Sequence, residues 1–246
     1  MNLVQRVKSK LISKVKFKVD PNSTHSEFLV ASIEFLIANT PIETNIVMIE
    51  VGTGGTSSRV MRTYLERHQN THLVSLENDL VWFEKYKAMY VDHNRHRILF
   101  VEEGSWERDL EKICDAIPDN SLIISFIDSS PWESRVSALH VLRERSSIFL
   151  IHDIDYFPHN GILGLEIKPI KNRPRNPFLY GNLKRKNLGL RNYENVAKYW
   201  IEVFPEVPGY FTGPPTLIAS EITDVSAIKL PKGCIIQSFS PNLKFL

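Results

Sequence analysis

The fold of this chain is decided by residues 45–57, which read Asn45-Ile-Val-Met-Ile-Glu50-Val-Gly52-Thr-Gly54-Gly55-Thr56-Ser57. The apolar first half is typical of a short buried strand, and the residues over 56–68 have the pattern of a helix. Glycines between the two let the backbone turn tightly and approach a ligand closely. The stretch therefore predicts a strand, a ligand-binding turn and a helix, which is the repeating unit of an α/β sheet.

The same alternation of strand and helix extends through most of the chain. Further strands are predicted over 72–76, 97–101, 122–127 and 147–151, and helices over 26–38, 80–91, 108–116 and 132–145. A short helix over 193–197 precedes two more strands, over 199–204 and 216–219, which are expected to pair as an antiparallel hairpin. The pattern predicts an α/β fold with a Rossmann-like, doubly wound, mostly parallel seven-stranded sheet and helices on both faces.

The length of 246 residues fits a single domain over 1–246. We expect a leader helix over 1–25, a core over 26–220, and a less regular tail over 221–246 with room for a short edge strand. No run approaches the roughly 20 apolar residues that span a bilayer. The basic N-terminus also lacks the apolar stretch of a secretory signal. We therefore expect a cytoplasmic location.

The composition excludes two classes of protein. Hydrophobic residues make up 43% of the chain, which excludes extensive disorder, and the only two cysteines, Cys114 and Cys234, exclude a disulfide scaffold. The net charge of +2 argues against a dedicated nucleic-acid binder, but it conceals a basic segment over 160–192. A loop of this length is often a lid or a binding loop, and its Tyr180 suits stacking on a sugar.

Acidic residues follow each of the five predicted parallel strands. They are Glu50, Glu77, the pair Glu102 and Glu103, Asp128, and Asp153. Because the carboxyl ends of parallel strands meet at one edge of a sheet, where ligands bind, these acids are expected to converge. The convergence predicts a ligand site with a negative potential.

The glycine turn does not match a dinucleotide-binding fingerprint, because Ser57 stands where the third glycine belongs and Glu50 would repel a pyrophosphate. The segment resembles the E/D-x-G-x-G motif of class I S-adenosylmethionine-dependent methyltransferases. The resemblance implies that Glu50, Gly52, Thr53 and Gly54 hold the methionine part of S-adenosylmethionine. The product would then be S-adenosylhomocysteine.

The next two strand ends complete the expected cofactor site. Glu77 offers two acceptor oxygens to the two ribose hydroxyls, and the adjoining Asn78 would flank the adenine. The resemblance places Ser105 and Trp106 at the adenine, although Trp106 as a plain core aromatic remains an alternative. Asp128 is the last member of the expected cofactor-binding set.

The fourth and fifth strand ends carry the expected chemistry. They read Asp128-Ser-Ser-Pro131-Trp-Glu-Ser-Arg135 and His152-Asp153-Ile-Asp155. The pair resembles sugar O-methyltransferases, both those that modify glucuronic acid on xylan and the metal-dependent macrolide-sugar enzymes. The resemblance implies transfer of a methyl group to a hydroxyl of a sugar, an oligosaccharide or a glycoconjugate. His152, Asp153 and Asp128 are the expected catalytic residues, with His152 or Asp153 as the base.

The same residues suggest a metal ion and an acceptor site. Asp128, Asp153 and Asp155 could hold a divalent cation such as Mg²⁺ or Mn²⁺ through hard oxygen ligands. Arg135 and Tyr180 are the expected contacts to the acceptor. Arg135 could instead pair with an acidic residue of the protein.

Three other functions remain open. The basic segment would suit an RNA methyltransferase, although the motif N/D-P-P-Y/F of amine methylation is missing from the sequence. A non-catalytic module that keeps the fold is a second alternative. A nucleotide-dependent oxidoreductase is the third, and Ser57 and Glu50 disfavour it.

Overall fold

The computed structural model describes residues 25–90, 93–154, 193–205 and 214–243. Most of the predicted leader helix and the whole basic segment over 160–192 lie outside the described residues. The predicted metal ligand Asp155 and the predicted acceptor contact Tyr180 also lie outside them.

The described residues form helices and strands in the predicted alternation. The helices are α1 (Ser26–Ala38), α2 (Ser57–Arg67), α3 (Leu80–Met89), α4 (Trp106–Asp115) and α5 (Trp132–Arg145). The strands are β1 (Ile46–Val51), β2 (Thr71–Glu77), β3 (His96–Phe100), β4 (Leu122–Ile127), β5 (Ile148–His152), β6 (Tyr199–Phe204), β7 (Thr216–Ser220) and β8 (Ile235–Phe239). None of the described helices is long and apolar enough to cross a membrane.

The strands form one sheet in the order β3-β2-β1-β4-β5-β7-β6-β8. Strands β1 to β5 pair in parallel, and β7 is antiparallel to both β5 and β6. This confirms the predicted Rossmann-like α/β sheet and the antiparallel pairing of β6 with β7. The described sheet has eight strands, because the tail adds the expected short edge strand as β8 along β6.

The predicted helix over 193–197 is also wrong. The segment is a single turn, in which the carbonyl of Tyr193 accepts from the amides of Val196 and Ala197 at 2.8 and 3.1 Å. Tyr193 is fully buried against Trp200 at the start of β6. A segment of five residues is too short to offset the cost of nucleating a helix, and the burial of Tyr193 holds it as a single turn.

The order of strands reverses at β1, which has β2 on one side and β4 on the other. In open α/β sheets ligands bind at such a switch point, outside the carboxyl ends of the strands. Here Val51 pairs with Leu76 and Ile127, so the turn after β1 emerges between the ends of β2 and β4. The fold therefore brings the predicted site residues to one crevice.

Apolar side chains cover both faces of the sheet. The first layer contains Trp106 and Leu110 of α4 together with Leu139 of α5. The second contains side chains of α1 and α2, including Phe28 and Leu29 at the start of α1. Because Phe28 and Leu29 are buried against the sheet, the preceding His25 is held at the crevice.

Candidate functional site

The glycine turn is packed against the loop after β4. Gly52 has a φ of +87°, and its amide donates to the carbonyl of Leu76 at 2.8 Å. A Cβ at this position would lie 2.7 Å from both the carbonyl oxygen of Asp128 and the Cα of Ser129. Only glycine therefore permits this approach of the two loops.

Glu50 lies behind the turn rather than at its surface. The side chain is fully buried, and it accepts hydrogen bonds from the hydroxyls of Ser58 at 2.8 Å and Ser75 at 2.7 Å. Burial raises the pKa of Glu50 to about 7, although hydrogen bonds from Ser57 and other hydroxyls oppose the shift. Glu50 therefore holds the start of α2 through Ser58, and its predicted role toward a cofactor stays a prediction.

A series of side-chain hydrogen-bond contacts, not predicted from the sequence, continues from Glu50 across the sheet. The hydroxyl of Ser75 is 3.0 Å from Nε2 of His96, and Nδ1 of His96 is 3.2 Å from Nη1 of Arg62. Burial and the charge of Arg62 lower the pKa of His96 to about 4. Strand β2 contains other polar residues, Thr71, His72 and Glu77, so Ser75 gave no distinct signal of these contacts in the sequence.

Glu77 is already engaged by the protein. Its Oε2 accepts from the amide and the hydroxyl of Thr53, at 2.8 and 2.6 Å. Its Oε1 accepts from the amides of Asn78 and Asp79, both at 2.9 Å. A carboxylate has about four lone-pair sites. A ribose can therefore bind Glu77 only by replacing a donor, and the rotatable hydroxyl of Thr53 is the one free to turn away.

The end of β3 is less open than predicted. Trp106 begins α4 with 3% of its surface exposed and packs in the core with Val101 and Leu110. The hydroxyl of Ser105 lies 2.8 Å from a carboxylate oxygen of Asp109. The structure thus places Trp106 in the core, and its predicted contact with adenine would require the ring to leave that position.

Arg135 joins the loops after β4 and β5. Its Nη2 is 2.9 Å from Oδ1 of Asp128 and 3.9 Å from Oδ2 of Asp153. Its Nε donates to the carbonyl of Ser129 at 2.6 Å, and its Nη1 donates to the carbonyl of His152. The guanidinium is therefore buried and positions the two loops, which agrees with the alternative that Arg135 pairs with an acidic residue of the protein. Its contact with the acceptor stays a prediction.

Two of the three predicted metal ligands, Asp128 and Asp153, both lie beside the guanidinium of Arg135. Their binding of a cation stays a prediction. Burial raises the pKa of Asp128 to about 7, Arg135 opposes the rise, and the charges of Asp153 and Glu50 add to it. The crevice thus holds more negative charge than Arg135 balances.

His152 is buried at the end of β5. Its Nδ1 is 3.1 Å from the hydroxyl of Thr216, and its Nε2 is 3.3 Å from Oδ1 of Asp153. Burial and the charge of Arg135 lower the pKa of His152 to about 3. The role of His152 as the general base stays a prediction, and a pKa this low does not favour it.

Two further observations mark this edge of the sheet. Asp153 has a φ of 53°, a left-handed conformation that is uncommon outside glycine and that recurs at functional sites. The ring of His25 lies 4.6 Å from the ring of His152, measured between centroids. Sequence reasoning missed His25, because a single histidine before a helix belongs to no pattern.

No protein-family model matches the chain, and no curated protein sequence matches it. Solved structures do resemble it. A protein from Staphylococcus aureus assigned as a caffeoyl-CoA O-methyltransferase is 15% identical, with 88% of this chain and 91% of that chain covered and a TM-score of 0.44. The carbon methyltransferase CurJ is 15% identical, with 80% of this chain and 54% of that chain covered and a TM-score of 0.48.

A third similar structure, from Corynebacterium glutamicum, is assigned as a spermidine synthase. It is 11% identical, with 80% of this chain and 63% of that chain covered and a TM-score of 0.45. These likenesses concern the fold alone. Any function must be argued from the residues of the chain itself.

Proposed function

We propose that this chain is an S-adenosylmethionine-dependent O-methyltransferase that acts on a hydroxyl of a sugar or a glycan. One observation carries the proposal. The glycine turn after β1 meets the acids at the ends of β2 and β4 in the crevice where the strand order reverses.

The crevice fits a cation better than a dinucleotide. Burial raises the pKa values of Glu50 and Asp128, and the charges of Asp153 and Glu50 add to the rise at Asp128. A sulfonium would stabilise the charged form of these buried acids, whereas a pyrophosphate would destabilise it. The sheet also differs from the 3-2-1-4-5-6 order of dinucleotide-binding folds, since β7 lies between β5 and β6. Both features favour S-adenosylmethionine over a nicotinamide cofactor.

The residues divide into a cofactor half and an acceptor half. Gly52, Thr53, Gly54 and Glu77 would hold the cofactor, with Glu50 acting from behind the turn. S-adenosylmethionine supplies an electrophilic methyl group, whose bond to sulfur breaks, leaving its electron pair on sulfur, as the bond to the acceptor oxygen forms and the hydroxyl loses its proton.

The acceptor hydroxyl would lie at the ends of β4 and β5, beside Asp128 and Asp153. A sugar hydroxyl is a weak acid, so it needs a base or a metal ion to become a good nucleophile. Asp128, with a pKa of about 7, is better tuned to receive a proton than His152. The preference for a sugar rests on the resemblance of the two strand-end motifs and on the basic segment over 160–192.

Binding of S-adenosylhomocysteine tests the cofactor assignment. We expect calorimetry to show saturable binding by the wild-type chain and a loss of at least about tenfold in affinity for Gly52→Ala, whose Cβ would collide with the loop after β4. Gly104→Ala is the matched control. Gly104 also has a positive φ, of +82°, but a Cβ there meets nothing within 4 Å, so the change costs only about 1–2 kcal/mol of backbone strain.

The thermal midpoint of each variant separates lost binding from lost folding. No binding by the wild-type chain at millimolar ligand, or unchanged affinity in a folded Gly52→Ala variant, would overturn the assignment. Transfer of a labelled methyl group to sugars, oligosaccharides, RNA and catechols then identifies the acceptor. Labelling of RNA alone would support the rival RNA methyltransferase.

A further inference from the structure

Three side chains from separate parts of the fold meet at the crevice. His25 precedes α1, Asp128 follows β4, and His152 ends β5. One ligand atom of each lies within 4.8 Å of the ligand atoms of the other two. The proposed methyl transfer gives no role to His25.

His25 is half-buried, and the polar atoms of its ring are shielded and unsatisfied. Neither ring nitrogen has a hydrogen-bond partner among the described residues, although both nitrogens are shielded from solvent. Its neighbours are the rings of Phe126, at 4.9 Å, and His152, at 4.6 Å. Because buried polar groups are nearly always satisfied in native proteins, an unsatisfied imidazole beside an acid and a second imidazole indicates a missing ligand.

The other two members already have the supporting contacts of metal ligands. The contact of Nδ1 of His152 with the hydroxyl of Thr216 leaves Nε2 on the side of Asp153. Oδ1 of Asp128 pairs with Arg135, which leaves its second oxygen for another partner. Metal-binding histidines and carboxylates are typically oriented by hydrogen bonds of this kind.

We propose that His25, Asp128 and His152 form a binding site for a divalent transition-metal ion. Two imidazoles and one carboxylate suit zinc, iron or cobalt, whereas magnesium prefers oxygen ligands alone. Ligand bonds of about 2.0–2.2 Å would draw the three side chains together from their present separations. Asp153, at 3.9 Å from the guanidinium of Arg135, offsets the positive charge that Arg135 brings to the site.

The metal site would add a means of activating the acceptor to the proposed function. Only this use of the ion rests on the proposed function. A metal ion with three protein ligands keeps positions open, and a hydroxyl bound there becomes more acidic. With the ion bound to Asp128, the ion rather than the free carboxylate would activate the acceptor hydroxyl. Metal binding itself needs neither cofactor nor acceptor.

Titration of Co²⁺ into the metal-free full chain tests the site. We expect visible absorption bands that saturate at one ion per chain and an affinity that falls at least about tenfold in His25→Ala. His140→Ala is the matched control, because His140 is an exposed histidine on α5 beside Glu107, and it should bind Co²⁺ as the wild type does. Absence of bands in the wild type, or equal affinity in a folded His25→Ala variant, would overturn the proposal.

A second variant keeps the test decisive if His25→Ala does not fold. A thiolate also binds these metals, so His25→Cys should retain Co²⁺ and add the charge-transfer absorption of a sulfur ligand. Bands without this absorption would show that residue 25 is not a ligand. Calorimetry of S-adenosylhomocysteine binding in the presence of a chelator separates the two proposals. If the chain binds S-adenosylhomocysteine but not Co²⁺, only the proposed metal site is removed.

Discussion

At the scale of single residues, Glu77 shows how one carboxylate can fasten a loop and still receive a ligand. Its four protein donors come from two directions, namely Thr53 on the glycine turn and the amides of residues 78 and 79. The amides are fixed by the backbone, but the hydroxyl of Thr53 can rotate. The site therefore contains one exchangeable acceptor position.

Thr53→Val tests that exchange. The variant keeps the amide bond to Glu77 and removes the hydroxyl, so we expect S-adenosylhomocysteine to bind at least as tightly as it does to the wild type. Glu77→Gln should weaken binding by at least about tenfold, because a carboxamide cannot accept at both of its ends. Thr53→Ser, which keeps a hydroxyl, is the matched control for calorimetry. Weaker binding by Thr53→Val would contradict the exchange and give the hydroxyl a direct role.

The sequence located the acids of the site but not their partners. Glu50, Glu77 and Asp128 were predictable because each ends a strand, and the strand ends of a parallel sheet share an edge. Ser75 and His25 were not predictable, because their neighbours depend on the register of β1 against β2 and on the packing of α1. A pattern along the chain contains neither kind of information.

At the scale of elements, α2 is held at its far end by one arginine. Arg95, just before β3, donates to the carbonyls of Leu65, His68, Gln69 and Thr71 at 2.6 to 3.0 Å. A cation at a helix C-terminus satisfies carbonyls that the helix leaves open and complements its dipole. Since the glycine turn leads into α2, Arg95 secures the helix at the end opposite to that turn.

Arg95→Ala should cost about 1.5–3 kcal/mol of unfolding free energy, because several hydrogen bonds from a charged donor are lost together. Arg97→Ala, two residues further along and exposed, removes the same charge and should cost much less. Urea unfolding measures both variants. Equal transition midpoints would show that Arg95 does not secure the helix.

The prediction of elements succeeded where the pattern was long and regular. Helices α1 and α5 and strands β4 and β6 begin and end at the predicted residues. Strand β8 was expected only as room for a short edge strand, because its five residues do not alternate regularly. The turn over 193–197 was misread because one buried tyrosine, rather than a repeating face, holds it.

At the scale of the whole molecule, buried titratable groups oppose one another in their effect on stability. The pKa values of Glu50 and Asp128 are raised to about 7, and those of His96 and His152 are lowered to about 4 and about 3. From about pH 4.5 to 7 the folded protein keeps a proton on Glu50 that the unfolded chain has released, so stability falls as pH rises. The histidines act in the opposite sense. Below about pH 6.5 the unfolded chain binds protons that the folded protein does not bind, so their contribution to stability rises with pH.

Glu50→Gln removes one side of this balance. Relative to the wild type, the variant should gain stability as pH rises from about 4.5 to 7, by up to about 3 kcal/mol, since it has no proton to release. Urea unfolding at several pH values measures the difference, and Glu43→Gln removes an exposed carboxylate as a control. A difference between Glu50→Gln and the wild type that does not change with pH would contradict the raised pKa of Glu50.

The pairing of β5 with β7 affects the order in which the parts of the crevice form during synthesis of the chain. His152 and its partner Thr216 are 64 residues apart, whereas β1 to β5 pair among themselves without any later segment. During synthesis the N-terminal strands emerge first and can pair before β7 exists. The glycine turn and Glu77 are thus in place while His152 still lacks the contact that orients it. A nascent chain would form the glycine turn and its contact with Glu77 first, and it would orient His152 only when the last third has left the ribosome.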